Sequence, residues 1–171
     1  MGGGREYVKR LAAHIADIRL ACPVSSIHHE GRGLRVIHAQ GSDYFDQVVM
    51  ACHSDQALQI LGGTASEAQR EVLAAIRYQP NRAVLHTDAA LLPKRKALWS
   101  AWNYFAGSAK DGEQPVGVSY LINRLQPLPF ETPVVVTLNP VIEPDPAKVL
   151  AAFDYAHPVF DAAAIAAQQR L

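Results

Sequence analysis

The chain has 171 residues, 49% hydrophobic and 19% charged, a composition that fits a globular protein with a core and excludes a disordered one. Sixteen Lys plus Arg offset sixteen Asp plus Glu, and the one dense basic cluster, Lys94-Arg95-Lys96, is too short to serve a nucleic-acid partner. No apolar run approaches the ~18 residues of a membrane span, and no h-region marks a signal peptide.

Met1-Gly2-Gly3-Gly4 leads directly into a helix. Such glycines suit either the inside of a domain, where backbone approaches something closely, or a tag scar. Tyr7, Val8, Leu11, Ile15 and Ile18 recur at helical spacing, predicting a helix from Arg5 to Asp17 that needs an apolar surface to pack on. From Ile18 to Ala51 the period falls to two. Gly31-Arg32-Gly33 and Gly41-Ser42-Asp43 read as turns in a β-meander of three or four short strands. His28, His29 and His38 share one hairpin, but His28 and His29 point to opposite faces. At most two imidazoles meet, so no metal site is expected, and the three read as solvent-facing or cross-strand histidines. Cys22 and Cys52 form no C-x-x-C, which suggests a reducing, cytoplasmic setting without zinc.

The stretch from Asp43 to Leu61 organises the chain. Val48-Val49-Met50-Ala51 has the character of a buried strand, Cys52-His53-Ser54 that of a tight turn, and Ser54 or Asp55 can cap a helix. A strand feeding a capped helix offers free backbone N–H groups to an anionic ligand, although an ordinary joint has the same pattern. Gly62-Gly63 ends that helix, and Thr64 with Glu67 or Ser66 with Gln69 forms a capping box for the next. Strands follow at 83–87, 100–105, 116–120, 134–138 and 149–155, with prolines from Pro93 through Pro115 to Pro146 in the connections. An Ala-rich helix from Asp161 to Arg170 closes the chain. The predicted class is α+β: a β-meander plus a mostly antiparallel sheet of about five strands backed by helices.

The order of GG, helix, I-R-L-x-x-P-V, hairpin and D-x-V-V-x-A, followed by ACHSDQAL, WNY and SYLINRLQ, resembles the central part of flavin-dependent amine oxidase-like oxidoreductases. That superfamily includes monoamine and polyamine oxidases, phytoene desaturases and protoporphyrinogen oxidase. The chain most resembles uncharacterised bacterial NAD/FAD-binding members, over essentially its whole length. The resemblance implies an FAD cofactor, with the Val24 backbone meeting adenine and Gly3 and Gly4 near the flavin-binding core. It implies that Ala51, Cys52 and His53 line the cofactor, where family members often carry a proline-rich turn. Residues 1–61 then correspond to part of the FAD domain and 62–171 to the substrate-binding domain.

His86 matches a strand position where amine oxidases carry a lysine that holds a water beside the flavin. A neutral imidazole can position water or act as base near pH 7, while a histidine pointing outward from a half-exposed strand is the plain alternative. Trp102, Asn103, Tyr104, Tyr120 and Asn123, with Trp99, suit either an apolar substrate cavity or the core of a sheet. The family's G-x-G-x-x-G fingerprint has no match, since Gly31-x-Gly33 is followed by Val36. The segment that closes over the flavin is missing as well. These departures imply a middle piece of a longer parent, inactive alone, with FAD belonging to the parent and absent from this chain. Its partners are then a small-molecule substrate and the missing N- and C-terminal parts. The alternatives are a stand-alone substrate-binding or protein-interaction domain, and a hydrolase, which the lack of a G-x-S-x-G elbow disfavours.

Overall fold

The computed structural model describes residues 3–107 and 116–170, so Met1, Gly2, Pro115 and Leu171 lie outside the described residues. In chain order the elements are α1 (Gly3–Ala12), β1 (Val24–Glu30), β2 (Gly33–His38), β3 (Gly41–Phe45), α2 (Ser54–Leu61), α3 (Glu67–Ala74) and β4 (Arg77–His86). Then come β5 (Trp102–Ala106), β6 (Val116–Leu121), the single turn α4 (Ile122–Leu125), β7 (Val135–Leu138), β8 (Val149–Val159) and α5 (Ala162–Gln168). The class is α+β, with two antiparallel sheets. The chain divides into two compact units, Met1–Arg10 with Pro80–His157, and Leu11–Gln79 with Pro158–Leu171.

Helix α1 ends at Ala12, short of the expected Asp17. Its Tyr7, Val8 and Leu11, with Ile15 beyond it, are all exposed. The apolar stripe is real, and more than half of each of these side chains is exposed.

In the unit of 11–79 and 158–171, the meander has three strands in the order β1-β2-β3. Gly41 opens β3 instead of sitting in a turn, and Ile18–Ala21 forms no strand, which leaves three of the three or four expected. Gly33 could not be replaced cheaply: a Cβ there would lie 2.4 Å from the Phe45 carbonyl oxygen, so only glycine lets β3 approach. Ile27, Val36, Ala57, Val72, Ala164 and Ala167 are buried in this unit. Of the two possible capping boxes, Ser66 and Gln69 form it. Ser66 N–H donates to Gln69 Oε1 at 2.9 Å and Gln69 N–H to Ser66 Oγ at 3.2 Å. Thr64 instead donates its hydroxyl to the Ile27 carbonyl at 2.9 Å.

One expectation fails here. Val48–Ala51 forms no strand, and Val49 is 90% exposed. A strand exists through its ladder, and no described strand runs beside these residues to pair with them.

In the unit of 1–10 and 80–157, the sheet order is β5-β6-β7-β4-β8, matching the five strands read from sequence. The register pairs Trp102 with Tyr120, Asn103 with Ser119, Ser119 with Thr137, and Val84 with Thr137. Directly paired residues share a face, so Asn103, Ser119, Thr137 and Val84 point one way. All four are buried. Leu92, Leu121 and Val135 form the apolar core there, with Trp99 packed against them. Among the described residues, no helix is long and apolar enough to cross a membrane.

Candidate functional site

Alternation along β4 sends Val84 and His86 to the covered face of the five-stranded sheet. His86 is 0% exposed, which overturns the reading of an outward histidine on a half-exposed strand. Both ring nitrogens are engaged. The Asp88 backbone N–H donates to Nδ1 at 3.1 Å, so the ring proton sits on Nε2 and is donated to Thr137 Oγ1 at 2.8 Å. Thr137 Oγ1 in turn lies 2.8 Å from Ser119 Oγ. A polar chain thus crosses β4, β7 and β6 inside the covered face, with each hydroxyl partnered. Burial lowers the His86 pKa, Asp88 partly opposing it, and the neutral ring is the form that these partners need.

Asp88 is tied as firmly. Its carboxylate accepts from the Asp145 and Ala90 backbone N–H groups, at 3.0 and 3.1 Å, and from Lys148 Nζ at 3.1 Å. The Asp145 N–H is the largest influence that holds the carboxyl down to a pKa of about 2. Thr137 and Asp88 border a cavity of about 170 Å³ whose walls include Leu91, Phe105, Gly117 and Ile142. His86 is not on that wall and stands one hydrogen bond behind Thr137.

The substrate candidates divide between two roles. Trp102 and Tyr104 are 57% and 75% exposed on the sheet's open face, where Trp102 pairs with Tyr120 and Tyr104 with Val118. They are neither core nor enclosed cavity, but a flat aromatic surface. Asn103 points the other way, accepting the Ser100 N–H at 3.2 Å and donating to the Ser100 carbonyl at 2.8 Å. Asn123 clamps the following loop, donating to the Thr132 carbonyl at 3.0 Å and accepting the Val134 N–H at 2.8 Å. These two amides brace backbone.

In the other unit, Val24 opens the outer strand of the three-stranded sheet and borders an open groove of about 290 Å³ with Val36, His38, Asp43 and Phe45. Ala51 and Cys52 are exposed and His53 is half-buried. His53, not Ser54 or Asp55, holds the N-cap position of α2, and its ring stacks on Tyr78 at 4.4 Å between centroids. Two of the N–H groups expected to be free for an anion, those of Ser54 and Gln56, are taken, as is that of the N-cap. Ser54 N–H donates to the Tyr78 hydroxyl at 2.9 Å, Gln56 N–H to Asp55 Oδ1 at 2.8 Å, and His53 N–H to Gln56 Oε1 at 3.3 Å. Gly3 and Gly4 begin α1, and a Cβ on Gly4 would meet nothing within 4 Å.

Sequence reasoning missed Ser119, Thr137 and Asp88. Alternation in V-V-T-L was the signal that would have set Thr137 with Val135 on one face, and A-V-L-H-T-D puts an acceptor-rich side chain two residues past His86. Among curated proteins none matches the chain. The family described as flavin containing amine oxidoreductase matches residues 1–124, a span that takes in Val24, His53, His86, Trp102 and Tyr120. With nearly three quarters of its length matched, the chain belongs to the flavin containing amine oxidoreductase family, and its function is of the flavin-dependent oxidoreductase kind.

Proposed function

We propose that this chain is the substrate side, with part of the FAD domain, of an oxidoreductase that oxidises a C–N or C–C bond of a small or lipophilic molecule by taking hydride from the adjoining C–H. The bound flavin supplies the hydride acceptor. Residues 1–61 serve the FAD domain and 62–171 the substrate. The observation that carries this reading is the open aromatic face. Trp102, Tyr104 and Tyr120 stand side by side with Val118 and no charged residue among these pairs. Such a surface gives an apolar substrate aromatic rings to lie against.

The groove beside Val24 suits the adenine end of FAD, having apolar Val24, Val36 and Phe45 walls and a polar rim. The outer-strand backbone of Val24 is the group proposed to meet the base, with Gly3, Gly4, Ala51, Cys52 and His53 as further cofactor contacts. The Ser54 and Gln56 N–H groups in the first turn of α2 are occupied, which weakens that helix N-terminus as a seat for the pyrophosphate. We therefore expect the chain alone to hold FAD weakly or not at all. Further parts of the same protein complete the cofactor site, a reading that the uncovered stripe of Tyr7, Val8 and Leu11 supports. His86 acts as a positioning residue: its N–H fixes the Thr137 hydroxyl, which can orient a water in the adjoining cavity. The setting is the cytoplasm, where Cys22 and Cys52 stay free thiols.

Expression of the chain alone and of the longer reading frame around it tests this. The short protein should be colourless and the longer one yellow, bleaching anaerobically with a lipophilic amine. A colourless longer protein would favour the second reading, an interaction domain that uses the same uncovered apolar stripe.

A further inference from the structure

Cys22, His38 and Asp43 come from the segment ahead of β1, the end of β2 and the middle of β3, and the register of the meander brings them together. Cys22 Sγ lies 3.3 Å from His38 Nδ1, and His38 Nε2 lies 2.9 Å from Asp43 Oδ2. The Gln40 N–H also donates to Nδ1 at 3.2 Å, so the thiol shares with it the single lone pair of that nitrogen, and Arg19 Nη1 lies 3.4 Å from Nε2. The ring proton on Nε2 then goes to Asp43. Arg19 bonds the same carboxylate and, more than His38 does, holds the Asp43 carboxyl below its usual range. The His38 side chain is only 8% exposed, while Cys22 is half-buried and reachable from the groove it lines with Val24, Val36 and Phe45. Nucleophile, base and orienting acid stand in hydrogen-bonded order, the arrangement that activates a thiol. His38 spends one nitrogen on each neighbour, so the three cannot converge on a metal ion.

We propose that Cys22 is a nucleophilic thiol, with His38 as its base and Asp43 holding the imidazole, and that the groove takes a small uncharged electrophile. The charge preference follows from the rim. Asp17 and Asp43 both pair with Arg19, which leaves no spare cation to receive an anionic reagent. The walls, Val24, Val36 and Phe45, are apolar. With iodoacetamide as probe, Sγ attacks the methylene carbon, the S–C bond forms as C–I breaks, iodide leaves, and the thiol proton passes to His38 Nδ1. With a peroxide, S–O forms as O–O breaks. The proton reaches the departing oxygen through His38, leaving sulfenic acid and the reduced peroxide. Neither step involves the flavin ring, but the groove is the one proposed above for adenine, so the electrophile enters only while FAD is absent, as in the chain alone.

Cys52, exposed and free, is an internal reference. The chain is treated with a limiting amount of iodoacetamide at pH 7 and both cysteine peptides are quantified by mass spectrometry. Cys22 should react roughly tenfold or more faster than Cys52 despite its lower exposure, and iodoacetate should lose most of that preference. His38→Gln and Asp43→Asn should bring Cys22 to the Cys52 rate or below, with Cys52 unchanged as the sign of an intact fold. Faster reaction at Cys52 in the unaltered chain overturns the proposal, whatever the variants do. So does a Cys22 rate indifferent to both substitutions, and equal preference for iodoacetate overturns the uncharged specificity.

Discussion

His86 and Thr137 share a 2.8 Å hydrogen bond between neighbouring strands, fully out of reach of solvent. The imidazole has no spare lone pair, because its other nitrogen accepts the Asp88 N–H. Its work is to hold a hydroxyl and a chain turn in place.

Removing it should therefore be costly. His86→Ala leaves the Thr137 hydroxyl and the Asp88 N–H short of partners and opens a void, for a loss of about 2–4 kcal/mol of stability. His86→Gln, which keeps one donor and one acceptor, should lose less. Urea denaturation of the three proteins checks this, and an Ala variant within about 0.5 kcal/mol of the parent would show the bonds to be idle.

The lowered His86 pKa makes stability depend on pH in a definite direction. Its folded value is depressed below the usual 6.5, so the neutral ring's contribution is present above that pH and is lost as pH falls. The unfolded chain binds the proton first, hence stability declines with acid from about pH 6.5 downward. His86→Gln should flatten that limb. Asp88 acts lower: its contribution, about 2 kcal/mol, is intact above the ordinary 3.8 and lost as pH falls toward about 2. Urea midpoints at pH 7.5, 5.5 and 3.5, for parent and His86→Gln, separate the two limbs.

The two tryptophans should report opposite environments. Trp99 packs on the core and donates its indole N–H to the Pro93 carbonyl at 2.8 Å, while Trp102 stands on the open face. Acrylamide should quench the fluorescence in two phases, and Trp102→Phe should remove the accessible one with stability within about 0.5 kcal/mol. If that face receives substrate, a lipophilic amine should quench the parent and not the variant. Equal quenching of both would move the substrate elsewhere.

Flavin affinity in the longer reading frame proposed above tests Val24. Its side chain faces a groove wall, so Val24→Ala should change little, whereas Val24→Pro removes the N–H and should weaken FAD binding by about 1–3 kcal/mol. Equal affinity of a folded proline variant would exclude the adenine contact. Fluorescence titration gives both constants.

What could be read from the sequence was what depends on near neighbours. The five strands announced themselves through alternation and flanking prolines, and Ser66 with Gln69 through a three-residue spacing. Val48–Ala51 misled because a strand is made by its partners, which composition does not show. Two details of the sites needed register. Ser119 and Thr137 meet only because β6 pairs with β7, and Cys22 reaches His38 across sixteen residues of hairpin. His86 was singled out by resemblance, but its full burial and its bonds to Thr137 and Asp88 emerge only from the fold.

The unpaired Val48–Ala51 segment bears on how the protein behaves in the test tube. A short β-branched stretch without a ladder is a template for strand exchange between copies, and Asp46 and Asp55 are its nearest negative charges. At pH 7 the chain carries no formal net charge, so nothing repels one copy from the next. Acidification would charge the molecule but also erode the His86 contribution. Concentrated samples should stay clear longest on the alkaline side, and light scattering against pH should have its maximum near neutrality.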